Sequence, residues 1–165
     1  SCLLMKETDE FPERSYPAAR PAKRLRNQST IIFVTACSKD RRKIFADRRV
    51  HDLLVRSWRE ADAWLVGRYV ILPDHVHLFA APNSFDPPAI KQWARYWKSL
   101  VTKAWPFERT EPIWQRGIWD RQLRSRDSYV SKWEYVRNNP IRHDLAEQAD
   151  AWPYQGQLNA LPWKE

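Results

Sequence analysis

The stretch YVILPDHVHLFAAP, residues 69–82, decides the fold. β-Branched and apolar residues run through 64–72 and again through 75–82, and each run has the composition of a strand. Pro73 and Asp74, which stand between the two runs, favour a tight turn. The sequence therefore predicts an antiparallel hairpin at this point of the chain.

Further elements are predicted outward from the hairpin, from the spacing of their apolar residues. In chain order they are a strand within 29–38, a helix within 46–63, a helix within 89–105, a strand within 111–125 and a helix within 125–139. Ser125 or Asp127 is a candidate cap of the last helix, and Pro140 is its expected stop. This order predicts an α+β fold, an antiparallel sheet with helices packed on one face, as in ferredoxin-like and RNA-recognition (RRM) domains.

The length of 165 residues fits one domain with appendages. We expect a basic flexible arm over residues 1–28, the folded domain over 29–157 and a short tail over 158–165. The sequence has no apolar run of about 18 residues, and its first residues lack the order of a secretory signal. We therefore expect a cytoplasmic protein with no membrane partner.

The charge of the chain indicates the kind of partner it has. Lys and Arg outnumber Asp and Glu by 28 to 20, which gives a net charge of +8 and a pI near 9.7. This balance favours an anionic partner, either nucleic acid or an acidic membrane surface. The three glycines form no phosphate-binding loop, so the sequence argues against an enzyme that uses nucleoside triphosphates or dinucleotides.

Two of the four histidines, His75 and His77, stand one residue apart in the second run of the hairpin. Residues i and i+2 of a strand point to the same face, so the two imidazoles project together. Such a pair is either a coincidence of a buried strand or two ligands of one divalent ion, with coordination positions left for a phosphate oxygen. Phe79 occupies the place where a histidine-triad hydrolase would have a third histidine.

The last predicted helix carries a tyrosine outside its apolar stripe. The stripe recurs at i, i+4 and i+7 from Tyr129, and at about 100° per residue Tyr135 is rotated well away from it. Tyr135 shares its face with Lys132 and, at i+4, with Asn139. Either this face is an ordinary exposed surface, or its hydroxyl, ammonium and amide form a functional cluster.

Basic residues are also grouped on the second predicted helix. Lys91, Arg95 and Lys98 stand at i, i+4 and i+7, which forms a stripe able to follow a phosphate backbone, or merely a solvated face. Arg41 and Arg42, in the loop KDRRK, would add phosphate contacts that weaken with salt.

Four segments, LPDHVHLF, WQRGIWDRQLRS, WEYVRNNPIRHDL and DAWPYQG, together resemble the REP-associated tyrosine transposases, a branch of the single-tyrosine HUH transposases. The resemblance covers roughly residues 28–157. It implies that Tyr135 is the nucleophile and that His75, His77 and Asn139 hold a divalent ion, Mg²⁺ or Mn²⁺. It further implies attack on a phosphate of single-stranded DNA, a 5′-phosphotyrosine intermediate with a free 3′-hydroxyl, and no need for ATP.

The same resemblance suggests the partner and the setting. We expect a partner of single-stranded DNA that folds into a hairpin of the repetitive extragenic palindrome (REP) type and is contacted also by Lys132. We further expect association with the bacterial nucleoid and a monomeric protein, with a dimer as the alternative. The alternative is a hairpin-binding protein that derives from a transposase and performs no chemistry. An RNA-recognition domain shares the sheet layout, but it would carry aromatic residues where the central strands carry histidines.

Overall fold

The computed structural model describes residues 30–161. Its strands are β1 (Ile31–Cys37), β2 (Trp64–Leu72), β3 (His75–Pro82), β4 (Trp119–Leu123) and β5 (Gln155–Gln157). Its helices are α1 (Arg48–Glu60), α2 (Ile90–Lys103), α3 (Arg126–Arg137) and the short α4 (Asn139–Arg142), with 3₁₀ turns at Lys39–Arg41 and Ala149–Ala151. The predicted arm and the last residues of the predicted tail lie outside the described residues.

One antiparallel sheet of five strands, in the order β4-β1-β3-β2-β5, forms the centre of the molecule. The predicted α+β class and the predicted hairpin are confirmed. Leu72 pairs with His75, so the hairpin turn consists of Pro73 and Asp74 alone. Both strands that carry the central pairing, β1 and β3, are buried over nearly their whole length.

The helices lie on both faces of the sheet, whereas the sequence predicted them on one. One hydrophobic cluster joins α1 and α2 to alternate residues of β1 and β3, such as Val34 and Leu78. The other joins α3 and the C-terminal segment to the intervening residues, such as Phe33 and Phe79. The physical reason is the composition of the central strands, which are apolar on both faces and therefore need a packed layer on each side.

A bulge in β2 changes which of its residues face the α1 and α2 layer. The pairing with β3 shifts between Val66 and Tyr69, so that Trp64, Val66, Tyr69 and Ile71 all belong to the α1 and α2 layer. The intervening Gly67 lies directly under Leu161, where a Cβ atom would stand 2.6 Å from the leucine Cδ1. The chain that follows β5 is thereby packed against the bulge.

Helices α1 and α3 begin after residues that commonly cap helices, but the helical path that follows α3 does not end where the sequence predicts. Asp47 caps α1 by accepting a hydrogen bond from Arg49 N, and Ser125 caps α3 by accepting one from Ser128 N. Pro140 does not end the helical path, because α4 begins at Asn139 immediately after α3 and proline fits a first helical turn. Among the described residues no helix is long and apolar enough to cross a membrane.

Candidate active site

His75 and His77 lie side by side at the start of β3, on the α3 side of the sheet. Their ring centroids are 4.7 Å apart, and their exposed fractions are 1% and 0%. The predicted common face is therefore observed, and it is a buried one. Burying two imidazoles in an apolar sheet is costly unless their nitrogens have partners.

A different side chain holds Nδ1 of each ring. The Nδ1 of His75 is 2.7 Å from Asp74 Oδ1, and the Nδ1 of His77 is 2.9 Å from Thr35 Oγ1. Partners of this kind fix the orientation of a ligating imidazole. With Nδ1 engaged in this way, Nε2 would be the nitrogen through which each ring binds a metal ion.

Asp74 is in turn held by Arg41. The guanidinium Nε and Nη2 atoms both lie 2.9 Å from Asp74 Oδ2. Arg41 has a φ of +54°, a region that costs a non-glycine residue of order 1–3 kcal/mol, so the pair is made from a strained backbone position. Burial raises the pKa of Asp74, but the hydrogen bond with His75 and the charges of His75 and Arg41 outweigh it and hold the pKa below its usual range.

The loop arginines that the sequence suggested for DNA therefore bind within the protein. Besides the pair of Arg41 with Asp74, Arg42 donates to Pro112 O and lies 3.6 Å from Glu111 Oε2. These contacts join the loop to the turn of the hairpin and to the segment that precedes β4.

Asn139, the expected third ligand, is fully buried at the junction of α3 and α4. Its Oδ1 is 3.1 Å from Nε2 of His143, whose ring centroid is 6.3 Å from that of His75. His143 thus connects the amide to the histidine pair. The turn of α4 creates this connection, since it places His143 one helical turn after Asn139.

Tyr135 lies half-buried on α3 between two basic side chains. The guanidinium carbon of Arg142 is 3.6 Å from the centroid of the Tyr135 ring, and the same guanidinium donates to Tyr135 O. The ammonium of Lys132 lies 5.7 Å from the same ring and 5.3 Å from the ring of Phe33. The ring of Phe33 stacks on His77 at 5.3 Å, so the tyrosine and the histidines belong to one cluster.

Positive charges surround this cluster. Burial holds the pKa of His77 well below its usual value, and charge interactions with His75, Lys132, Arg142 and His143 lower it further. A neutral imidazole is the form that binds a metal ion. The same surroundings favour an anion such as a phosphate group beside the histidines.

The donor set fits a divalent ion. Two imidazole nitrogens and one amide oxygen are hard to intermediate ligands, and they leave positions for oxygen atoms from a substrate or solvent. Within residues 30–161 no group of three or more His, Cys, Asp or Glu is arranged to hold a metal ion. The expected centre, in which the Asn139 amide and not a carboxylate is the third ligand, stays a prediction.

The basic stripe predicted on α2 is divided in the structure. Lys91 and Arg95 are exposed, but Lys98 is buried and donates to the carbonyls of Gln115, at 3.0 Å, and Gly117, at 2.7 Å. Burial, assisted by the charge of Arg95, lowers the pKa of Lys98 to about 8. Moreover, α2 covers the face of the sheet opposite to the histidine pair.

Sequence reasoning missed four residues of the site: Thr35, Asp74, Arg142 and His143. His143 and Arg142 had a usable signal, because they stand four residues after Asn139 and seven after Tyr135. The signal was lost because the helix was expected to stop at Pro140. No local signal pointed to Thr35, which reaches His77 only through the β1–β3 pairing.

A sheet with a buried histidine pair on its central strand and a tyrosine on the helix above is the arrangement that the resemblance to tyrosine transposases implies. Comparisons with known proteins agree. A Haemophilus influenzae protein assigned to the REP-associated tyrosine transposases is 32% identical over 96 residues, which cover 51% of this chain and 53% of that relative. The REP-associated tyrosine transposase of Escherichia coli is 25% identical over 130 residues, which cover 79% of this chain and 70% of that relative. The chain thus spans about half the length of the first relative, at 53%, and no protein-family model matches it.

The structural comparison agrees with the sequence comparison. A solved structure of a REP-associated tyrosine transposase bound to a REP hairpin superposes with a TM-score of 0.68 and covers 88% of this chain and 82% of that chain. At 19% identity this likeness shows the fold. Sequence and fold together confirm the resemblance of this chain to the REP-associated tyrosine transposases.

Proposed function

We propose that this protein is a metal-dependent enzyme that nicks single-stranded hairpin DNA and transfers strands through a 5′-phosphotyrosine on Tyr135. The observation that carries the proposal is the cluster in which Tyr135, Lys132 and the buried pair of His75 and His77 lie together under positive charge. Relatives that are named tyrosine transposases, and a solved structure of such a transposase with a REP hairpin, support this choice of substrate. A cytoplasmic location at the nucleoid would follow from such a substrate.

The chemistry of the cleavage step follows from the groups present. The Tyr135 hydroxyl attacks the scissile phosphorus, the bond from phosphorus to O3′ breaks, and the 3′-oxygen leaves and takes up a proton. A phenol has a pKa near 10, so the tyrosine needs help to lose its proton at neutral pH. Lys132 and Arg142, which flank the ring, favour the phenolate and the negative charge that develops on the phosphate. In the reverse step a 3′-hydroxyl attacks the phosphotyrosine and rejoins a strand.

His75, His77 and Asn139 would hold the divalent ion, whose contribution is to polarise a non-bridging oxygen of the scissile phosphate. Asp74 and Thr35 orient the two imidazoles, and His143 orients the amide. Because imidazole nitrogens bind transition ions more readily than Mg²⁺, we expect Mn²⁺ to support the reaction better than Mg²⁺.

The test is a hairpin oligonucleotide from a repetitive palindrome, labelled at its 3′ end and incubated with the protein and Mn²⁺. We expect label that stays on the protein in a denaturing gel, and its loss in Tyr135→Phe and with chelator. Tyr96→Phe, which changes an exposed tyrosine on α2, is the matched control. Tight binding without any adduct, across several hairpins, would replace the enzyme with the non-catalytic hairpin-binding protein.

A further inference from the structure

A cavity of about 570 Å³ lies on the face of the sheet opposite to the histidine pair. It is formed between α2 and the segment 114–118, and we call it the α2 pocket. Its lining includes Lys91, Arg95, Trp114 and Arg116. The volume falls within the range of about 300–1,000 Å³ that is typical of sites for small organic groups.

Hydrogen bonds to α2 hold the segment that forms one wall of the α2 pocket. The buried Lys98 ammonium donates to the carbonyls of Gln115 and Gly117, and the indole Nε1 of Trp114 donates to Lys98 O at 3.1 Å. Gly117 has a φ of +78°, a conformation that glycine adopts without strain. The buried Lys98 thus ties the segment 114–118 to α2, and glycine permits the backbone conformation at residue 117, so that this wall of the cavity has a fixed position.

The chemistry of the lining is of two kinds. Ala94, Trp114 and Ile118 are buried or partly buried and offer an apolar surface with one aromatic ring. Lys91, Arg95 and Arg116 are exposed and offer three positive charges. A flat apolar surface beside cations is the combination by which proteins bind an unpaired base and its phosphate.

The segment that walls the α2 pocket also reaches the catalytic face. Residues 115–119 line a second cavity, of about 190 Å³, together with Thr35. Thr35 is the side chain that contacts Nδ1 of His77. One short segment therefore lies between the α2 pocket and the candidate active site, at the β4 edge of the sheet.

We propose that the α2 pocket binds one unpaired nucleotide of the substrate strand, with its base against Trp114 and Ile118 and its phosphate at Lys91, Arg95 and Arg116. The proposal rests on the proposed function, because it assumes that the strand cut at Tyr135 continues around the β4 edge. A nucleotide fixed there would hold the strand in one register relative to the histidines.

The test measures binding rather than cleavage, in protein that carries Tyr135→Phe. Fluorescence anisotropy compares a hairpin that has a single-stranded flank, the same hairpin without the flank, and free deoxyadenosine monophosphate as competitor. The variant is Arg95→Ala with Arg116→Ala, and the control is Lys103→Ala, an exposed lysine of the same helix outside the pocket. Both altered arginines are exposed, so the variant is expected to fold, and its melting temperature is checked.

We expect the double variant to lower affinity for the flanked hairpin by roughly 10-fold or more, with less than about a twofold change for the hairpin without a flank. An equal loss of affinity for both hairpins would show that the arginines only attract phosphates in general, and it would overturn the proposal. Competition by free nucleotide with no effect of the flank would also overturn it, in favour of a site for a free nucleotide.

A second measurement does not depend on the arginines. A 5-iododeoxyuridine placed in turn at each flank position should crosslink to the peptide that contains 114–118 from one position only; crosslinks from none, or from all, would contradict the proposal. Failure of the two proposals is distinguishable. If covalent adducts form on Tyr135 but the flank has no effect on affinity, only the pocket proposal is contradicted. If the flank affects affinity but no adduct forms, only the proposed enzyme activity is contradicted.

Discussion

The guanidinium carbon of Arg142 lies over the ring of Tyr135, 3.6 Å from its centroid, and the guanidinium donates to the carbonyl of the same tyrosine. One side chain thus contacts both the backbone and the ring of the proposed nucleophile. The contact limits the movement of the tyrosine, and it places a positive charge against the ring that carries the hydroxyl.

Arg142→Gln should therefore slow formation of the covalent adduct by up to about 100-fold at saturating DNA and Mn²⁺, because the tyrosine loses both its restraint and a neighbouring charge. Single-turnover kinetics separates this loss from weaker DNA binding. Arg137→Gln, which alters an arginine of the same helix that is paired with Asp150, is the control. An unchanged rate in Arg142→Gln, with Tyr135 still required, would show that the stacking has no part in the reaction.

The contact between His143 and Asn139 should govern metal affinity. Loss of a partner that orients a metal ligand typically lowers affinity by about 10- to 100-fold. We expect His143→Ala to weaken Mn²⁺ binding in the absence of DNA by that factor, as measured by electron paramagnetic resonance of unbound Mn²⁺. His143→Gln retains a donor and should recover part of the affinity. Equal Mn²⁺ affinity in wild type and His143→Ala would contradict the orienting role.

Asp120 should make stability depend on pH. It is buried on β4, and burial raises its pKa from 3.8 to about 6 although the charge of Lys91 opposes this. Because the folded state favours the protonated carboxyl, its contribution to stability is present below pH 3.8 and is lost as pH rises through about 6.

The corresponding measurement compares urea unfolding of wild type and Asp120→Asn from pH 4 to pH 7.5. The variant should gain up to about 3 kcal/mol in free energy of unfolding relative to wild type across that range, with most of the gain below pH 6.5. Asp86→Asn, at an exposed aspartate, is the control. A difference between Asp120→Asn and wild type that stays constant with pH would rule out this titration.

Any side chain at position 156 should lower the stability of the fold. A Cβ atom there would lie 2.7 Å from the hydroxyl of Tyr69, which is itself 2.7 Å from Nε2 of His51. We expect Gly156→Ala to lower the free energy of unfolding by about 1–3 kcal/mol, because Tyr69 is buried and has no room to withdraw. In Tyr69→Phe the same glycine substitution should cost less. A full cost in that background would place the clash elsewhere.

Local patterns in the sequence were sufficient for most of the secondary structure. The helix predicted within 46–63 is observed as α1, and it buries its apolar residues, such as Leu54 and Trp58, because helical spacing of apolar residues places them on one face. The hairpin was equally clear, since Pro73 and Asp74 separate two strand-like runs. The second helical layer was not predicted, because its position depends on how strands that are apolar on both faces become covered.

The candidate site was predicted in part, for a related reason. The pairing of His75 with His77 is a property of one strand, and alternation revealed it. The roles of Thr35 and Lys98 depend on partners distant in the chain, so charge and spacing alone described Lys98 as a surface residue when it is buried. The sequence thus indicated the candidate residues of the site more fully than the residues that hold them in place.

The turn at Pro73 and Asp74 sets the face of the sheet on which the two histidines lie, because Leu72 pairs directly with His75. Side chains alternate between the faces of a strand, so a shift of β3 by one residue would carry His75 and His77 to the layer of α1 and α2, away from Tyr135. Such a shift would preserve the composition of the strand and much of its hydropathy. The pairing register next to the turn therefore matters as much to the candidate site as the two histidines themselves.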